Sequence, residues 1–204
     1  MVSHDVWLWM MASQWHRLED KESFIGRTAE LGDELGSRLV ANNIAHDTVR
    51  LCFLQERRYT PYAKWLGTAF ARLSAATEVG PLVHDTLTAA SFARREDALL
   101  RLHKALARRH NALGVTALLP TTIGPFEVKI NDAVRPYRVL NCERFVLACQ
   151  DAIADEALRR LPLVGSIDQL TDPTDLLIHF TDWPLQLNGV YERQLGQHPN
   201  SSME

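Results

Sequence analysis

Cysteine is scarce in this chain of 204 residues, and Cys52, Cys142 and Cys149 form no CxxC pair. An odd number without metal-type spacing favours reduced, buried thiols in a cytoplasmic protein over a disulfide framework or a zinc site. Long apolar runs are also absent: Val6–Ala12 is too short to span a bilayer, and Asp5 precedes it where a signal peptide would be basic. The sequence therefore predicts a cytoplasmic protein without a membrane partner.

A surplus of charge of one sign is likewise missing, because the net charge is only −3. Residues 50–110 hold eleven Lys/Arg against five Asp/Glu, whereas residues 141–204 hold four against ten. Arg94, Arg101 and Arg108 repeat every seven residues, which favours a solvated helix face over a nucleic-acid interface in a chain that is acidic elsewhere. No nucleic-acid partner is therefore expected.

Apolar residues recur at helical spacing close to the start of the chain. Trp7, Met11 and Trp15 lie four residues apart and predict an amphipathic helix over residues 3–20. This stripe is either covered by the chain's own core or exposed as a surface for a partner or a second copy. Both alternatives stay open at the level of sequence.

Glycine interrupts an otherwise helical stretch over residues 22–58. Gly26, Gly32 and Gly36 lie close together, and each costs roughly 1 kcal/mol in a helix interior relative to alanine. Either Gly32 and Gly36 admit a second backbone against one helix face, or the helix breaks near this point.

Further helices are predicted where capping residues and stop signals frame apolar periodicity. They cover residues 61–73 after the start at Thr60-Pro61, 81–90 after a turn at Gly80-Pro81, 92–112 between Ser91 and Gly114, 141–156, a short segment before Pro162, a segment from Asp172, and 184–193.

Residues 115–140 break this helical pattern, because Pro120, Gly124, Pro125 and Pro136 interrupt it and Phe126–Ile130 alternates apolar with charged residues. The segment predicts a loop or a small two-stranded ribbon near residues 120–140. The fold class is therefore mainly all-α, a multi-helix bundle in one domain over residues 1–195, followed by a mobile tail at 196–204.

The stretch Arg57–Phe70 carries the most distinctive chemistry in the sequence. Cations and aromatic rings crowd around its predicted helix start: Arg57, Arg58, Tyr59, Tyr62, Lys64 and Trp65. A helix N-terminus favours anions, Arg and Lys bind phosphate or carboxylate oxygens, and aromatic rings can stack on a base or a sugar. The alternative is that the rings are core residues and the cations are only solvated.

Five segments carry a family resemblance: Gly26-Arg27, Gly32–Arg38, Arg57–Phe70, His110–Gly114 and Leu163–Gln169. In these segments the chain resembles the helical region of a bacterial family known only as a domain of unknown function. The longer members of that family resemble nucleotidyltransferases, with the catalytic fold placed before the helical region. The resemblance extends from Val6 to about Val190, and the Arg57–Phe70 segment is its most specific part.

Nucleotidyltransferases of this type hold Mg²⁺ on two acidic residues, Asp-x-Asp, on a strand that follows a Gly-Ser turn. This chain has Gly36-Ser37 and Gly165-Ser166, and neither leads into such a strand. The resemblance therefore implies an accessory domain that binds a nucleotide or another anionic small molecule, with catalysis in a separate domain. No cofactor is expected in this chain itself, and Mg²⁺ would enter with the nucleotide. The residues facing the phosphates or the acceptor are, by this analogy, Arg57, Tyr59, Tyr62 and Lys64.

Two alternatives of other classes remain. One is a non-catalytic helical interaction protein that uses the Trp7 stripe as its surface. The other is a metal phosphohydrolase of the HD type, because His46-Asp47 and His84-Asp85 form His-Asp pairs and Asp151 or Asp155 could supply the later carboxylate.

Overall fold

Helix α1 (His4–Glu22) lies at the centre of the structure, a computed structural model that describes residues 2–128, 133–170 and Gly189. The other elements follow in chain order: α2 (Phe24–Glu30), α3 (Glu34–Gln55), α4 (Ala63–Phe70), α5 (Ala76–Thr88), α6 (Phe92–Ala112), β1 (Gly124–Val128), β2 (Ala133–Val139), α7 (Glu143–Asp151), α8 (Glu156–Arg159) and α9 (Ile167–Leu170). The fold is mainly α-helical, which confirms the predicted class. No helix in the described part of the chain combines the length and apolarity needed to cross a bilayer.

The stripe on α1 is part of the core. Trp7, Met11 and Trp15 are buried, and α1 packs against α3 and α7. The Trp15 ring stacks on Phe145 of α7 with centroids 4.4 Å apart, and its Nε1 donates to Nδ1 of His110 at 3.2 Å. The alternative in which this stripe is a surface for a partner is therefore wrong, because the chain's own helices cover it.

The glycine-rich stretch is a helix break, as one of the two alternatives predicted. Gly32 adopts a left-handed conformation (φ 65°) between α2 and α3, and the Asp33 carboxylate then accepts the Gly36 N–H at 2.8 Å to cap α3. Gly26 has a different reason, since a Cβ there would lie 2.1 Å from the Tyr137 ring of β2. The ribbon therefore rests against the backbone of α2.

The turn predicted at Gly80-Pro81 is wrong. Helix α5 begins at Ala76 and contains Pro81 in its interior. Proline is costly there, but α5 packs on α3 and α6 and buries Val79 and Thr86, so tertiary burial overrides the local preference.

The remaining helices follow the prediction more closely. Helix α6 has the predicted bounds, and the Ser91 hydroxyl accepts the Arg94 N–H at 3.5 Å as its N-cap. Strands β1 and β2 form the predicted ribbon, antiparallel with an irregularity between Pro125 and Phe126. Helix α7 is shorter than predicted at both ends: Asn141 is left-handed (φ 62°) before its start, and the helix ends at Asp151, five residues before the predicted end. The segments predicted from Asp172 onward, including the tail, lie outside the described residues apart from Gly189.

Candidate functional site

The candidate site begins where α3 ends. The Arg57 N–H donates to the Leu54 carbonyl at 3.0 Å and the Arg58 N–H to the Phe53 carbonyl at 2.8 Å, the paired bonds of a Schellman motif. Such a motif needs a left-handed residue, usually glycine, and here Arg57 occupies that position with φ 52°. A non-glycine residue costs about 1–2 kcal/mol in this conformation.

The side chain of Arg57 is held in place by α1. Its guanidinium lies 3.8 Å from the centroid of the Trp7 ring, and one of its nitrogens lies 2.9 Å from Nδ1 of His4. Trp7 is itself fixed, because its Nε1 donates to the Leu54 carbonyl at 2.7 Å. The stacked guanidinium and indole therefore form a rigid wall.

Beside this wall lies a cavity of about 300 Å³, lined by Val2, Trp7, Met10, Leu54, Arg57, Arg58 and Tyr59. The apolar side chains of Val2, Trp7, Met10 and Leu54 are its floor, and the guanidiniums of Arg57 and Arg58 and the phenol of Tyr59 are its rim. Tyr59 is 73% exposed, and the Arg58 guanidinium has no hydrogen bond or ion pair within the described residues. None of the lining residues is acidic, so the cavity favours a guest with an apolar part and a negative charge.

The other three predicted residues form a second group at the start of α4. Trp65 Nε1 donates to the Tyr62 hydroxyl at 3.0 Å, and Lys64 Nζ lies 5.3 Å from the Trp65 ring centroid. Tyr62 is 37% and Trp65 50% exposed, so with Tyr59 these rings are not core residues. The six residues are thus divided into a cavity group and a helix-start group joined by Thr60-Pro61.

The start of α4 differs from the prediction. Thr60 is buried and is not the cap, because Tyr62 stays extended (ψ 163°) and the helix begins at Ala63. Tyr62 caps the helix with no side-chain hydrogen bond. The Trp65 N–H donates to the Tyr62 carbonyl at 3.0 Å, whereas the Ala63 and Lys64 amides have no partner within the described residues and remain open to an anion.

Glu56 precedes the two arginines, yet its charge is used elsewhere. Its carboxylate accepts from the Ser74 hydroxyl at 2.7 Å, the Ala75 N–H at 2.7 Å and Arg109 at 3.0 Å. Burial works to raise the pKa of Glu56, but these hydrogen bonds and the Arg109 charge lower it below its usual range. Glu56 therefore stays ionised and tied to α5, and does not neutralise the cavity.

A larger groove of about 500 Å³ lies between α5 and α6, and three of its four charged lining side chains pair with one another, whereas the fourth, Arg94, has no ion pair within the described residues. Arg101 contacts Asp85 at 3.2 Å and Asp97 at 3.4 Å. Arg108, which follows it on the same stripe, pairs with Glu78 at 2.8 Å. The basic stripe on α6 is thus largely an ion-paired, solvated face.

The His-Asp pairs do not assemble a metal site in the described part of the chain. Two groups of His, Cys, Asp and Glu bring ligand atoms within 4.8 Å of one another: Glu22 with His103 and Cys142, and His16 with Glu19 and Asp20. Neither contains a residue of the HD set. Asp47 instead pairs with Lys21, and Asp85 with Arg101.

Fold and cavity together define a mainly helical protein with an open, cation-rimmed cavity at the junction of α1 and α3. Residues 2–66 match the family model described as Domain of unknown function (DUF4037), which is 65 of the 204 residues. The match confirms the resemblance to a family of unknown function for this segment, and the segment includes every cavity-lining residue and all six predicted site residues. No curated protein and no solved structure matches the chain.

Sequence reasoning missed the floor of the cavity. Trp7 and Met10 precede Arg57 by about fifty residues, and the sequence left open whether the Trp7 stripe is covered by the core or exposed to a partner. The one available signal was the absence of glycine after α3, since an arginine in that position must gain something from its side chain.

Proposed function

We propose that this chain is an accessory helical domain that binds a nucleotide, or a phosphorylated small molecule of similar build, in the cavity beside Arg58. One observation carries the proposal: an apolar floor and a rim with two guanidiniums, without a carboxylate among the lining residues. A volume of about 300 Å³ is at the lower end of small-molecule sites, which span about 300–1,000 Å³.

The division of labour follows from the contacts. Arg57 is already stacked on Trp7, so its role is to position the wall. Arg58 on the rim and Lys64 at the start of α4 are the cations left to bind phosphate oxygens. A base or sugar would pack on the floor and against the exposed Tyr59 ring, and Mg²⁺ would arrive with the phosphates.

A thermal shift experiment tests this function on the full chain. At 100 times its Kd, a ligand of the folded state adds about 2.7 kcal/mol, and roughly 2–4 °C of Tm accompany each kcal/mol in a domain of this size. We expect MgATP to raise Tm, and Arg58→Ala with Lys64→Ala to abolish the rise. Arg72→Ala is the matched control, because Arg72 is exposed and does not line the cavity.

Two further compounds, added separately in the same thermal shift experiment, distinguish recognition of the phosphates from recognition of the nucleoside. Tripolyphosphate with Mg²⁺ reports charge recognition, whereas adenosine alone reports the apolar floor. An unchanged Tm at millimolar MgATP, or an equal shift in the double variant and the wild type, contradicts the proposal.

One observation still supports the alternative of an interaction protein, although the α1 stripe is buried and cannot serve as its surface. Leu35 and Leu39 are exposed four residues apart on the first turns of α3, and Leu31 is exposed in the turn before that helix. If this face pairs with a second copy, light scattering gives a dimer that Leu35→Lys converts to a monomer. A monomeric wild type would contradict pairing through this face, and nucleotide binding would then be the one proposed function that remains.

A further inference from the structure

Three side chains of metal-binding type meet where α1, α6 and α7 come together, away from the cavity described above. Glu22 ends α1, His103 lies in the middle of α6, and Cys142 is the N-cap residue of α7. One potential ligand atom of each lies within 4.8 Å of the other two. Three elements far apart in the sequence therefore contribute one sulfur, one nitrogen and one oxygen to the same point.

His103 is otherwise unexplained at this position. It is only 3% exposed, and its Nε2 is buried without a hydrogen-bond partner in the described residues. Buried polar atoms are nearly always paired, so such an atom calls for a ligand, an ion or a water. Burial also lowers the pKa of His103 to about 4, which keeps the imidazole neutral, the form that binds metals.

Glu22 is already oriented by the backbone in front of α7. One carboxylate oxygen accepts the Asn141 N–H at 3.0 Å and the other accepts the Cys142 N–H at 3.0 Å. A carboxylate offers about four lone-pair positions, so it can hold these two bonds and still bind an ion. Backbone bonds of this kind fix a ligand's direction, as the outer partners of metal ligands do.

We propose that Glu22, His103 and Cys142 form a binding site for a divalent transition metal ion of the zinc type. Thiolate and imidazole favour such an ion over Mg²⁺ or Ca²⁺, which prefer all-oxygen sites. Three protein ligands leave a fourth tetrahedral position for water. Glu22 is only partly buried, which supplies a path for the ion.

Binding forms a metal–sulfur bond and breaks the S–H bond of Cys142, whose proton passes to solvent. Burial raises the pKa of Glu22 to about 7, so the protonated fraction of that carboxyl also releases its proton to solvent when its oxygen binds the ion. Burial raises the pKa of Cys142 well above its usual value, and the charge of the ion offsets this. The metal would link the end of α1 to α6 and to the start of α7, and would therefore stabilise the fold without acting in the cavity.

Cobalt titration of the reduced, chelator-treated full chain tests the site. We expect one Co²⁺ per chain, a thiolate-to-cobalt charge-transfer band in the near ultraviolet, and loss of the band when Zn²⁺ is added. Cys142→Ser should remove the band, whereas Cys149→Ser and Cys52→Ser should retain it, since both cysteines are buried but lie outside the group.

His103→Gln and Glu22→Gln provide the second measurement, because each keeps a similar volume and Glu22→Gln retains a carbonyl acceptor for one of the two amides in front of α7. Each should weaken Co²⁺ binding at least about tenfold. No band in the wild type, the same band in Cys142→Ser, or unchanged affinity in both ligand variants overturns the proposal. Circular dichroism shows whether each variant is folded. If Cys142→Ser loses the band because it is unfolded, the Co²⁺ affinities of His103→Gln and Glu22→Gln, where these are folded, decide the outcome.

Discussion

The junction around Trp15 and the segment Arg57–Trp65 contain similar residue types in opposite situations. At the junction, Trp15 donates to Nδ1 of His110, whose Nε2 lies 3.1 Å from the Thr116 hydroxyl, and Phe145 stacks on the indole. In the segment, the rings are exposed and the Arg58 cation has no partner within the described residues. Rings and polar groups that are satisfied from within stabilise a fold, whereas those left open are free to bind.

Arg95 in the first turn of α6 and Arg58 after the end of α3 show the same contrast. Arg95 is 1% exposed and donates to Ser37 at 2.6 Å, to Glu34 at 2.6 Å and to the Ala89 carbonyl at 3.3 Å. Arg58 makes no such bonds. A count of basic residues along the sequence treats both alike, so only the fold distinguishes a structural cation from an available one.

The largest effect should come from removing an aromatic ring on each side of the comparison. Trp15→Ala should lower the free energy of unfolding by about 3–5 kcal/mol, because it leaves a cavity between α1 and α7. Trp65→Ala should change it by less than about 0.5 kcal/mol, because that ring is half exposed. Urea denaturation measures both. A comparable loss in the two variants would mean that the segment also belongs to the core.

The next effect is a dependence of stability on pH. Burial lowers the pKa of His110 to about 4 from 6.5, and its Nδ1 must be unprotonated to accept the Trp15 N–H. The unfolded chain therefore binds the proton more readily, and the free energy of unfolding falls as pH drops from about 6.5 to 4. The contribution of one such histidine is on the order of 3 kcal/mol.

A second buried histidine, His103, also has a lowered pKa and makes stability depend on pH in the same direction. The difference between His110→Gln and the wild type therefore isolates the contribution of His110. Urea midpoints between pH 4 and 7 should show a shallower dependence in His110→Gln than in the wild type. His84→Gln is the matched control, since His84 is exposed on α5. If the variant and the wild type keep the same pH dependence, the junction does not depend on a neutral imidazole.

Periodicity and capping signals predicted most of the helices, and α6 shows why. Arg94, Arg101 and Arg108 face solvent, the leucines face the core, and Ser91 caps the helix, so local signals and burial agree for this stripe. At Pro81 they disagree, because packing on α3 and α6 compensates for a residue that breaks isolated helices. The sequence alone does not indicate when burial is sufficient to reverse a local preference.

The candidate site was predicted in composition but not in shape. Arg57–Trp65 is contiguous, so its cations and rings could be found by inspection. The floor from Trp7 and Met10, and the group of Glu22, His103 and Cys142, depend on helices that meet only in the folded chain. No spacing rule links residues 22, 103 and 142.

The smallest effect concerns the backbone that holds the cavity wall. Arg57→Ala and Arg57→Gly both remove the guanidinium, so both lose the stack on Trp7 and the contact with His4. They differ in the left-handed conformation at φ 52°, which costs alanine about 1–2 kcal/mol. Glycine loses roughly 0.5–1 kcal/mol more chain entropy on folding. Arg57→Gly should therefore unfold at higher urea than Arg57→Ala, by roughly 0.5–1 kcal/mol, with equal m-values. Equal midpoints would mean that the end of α3 relaxes out of the left-handed conformation once the guanidinium is gone, so that the stack on Trp7 is what holds it there.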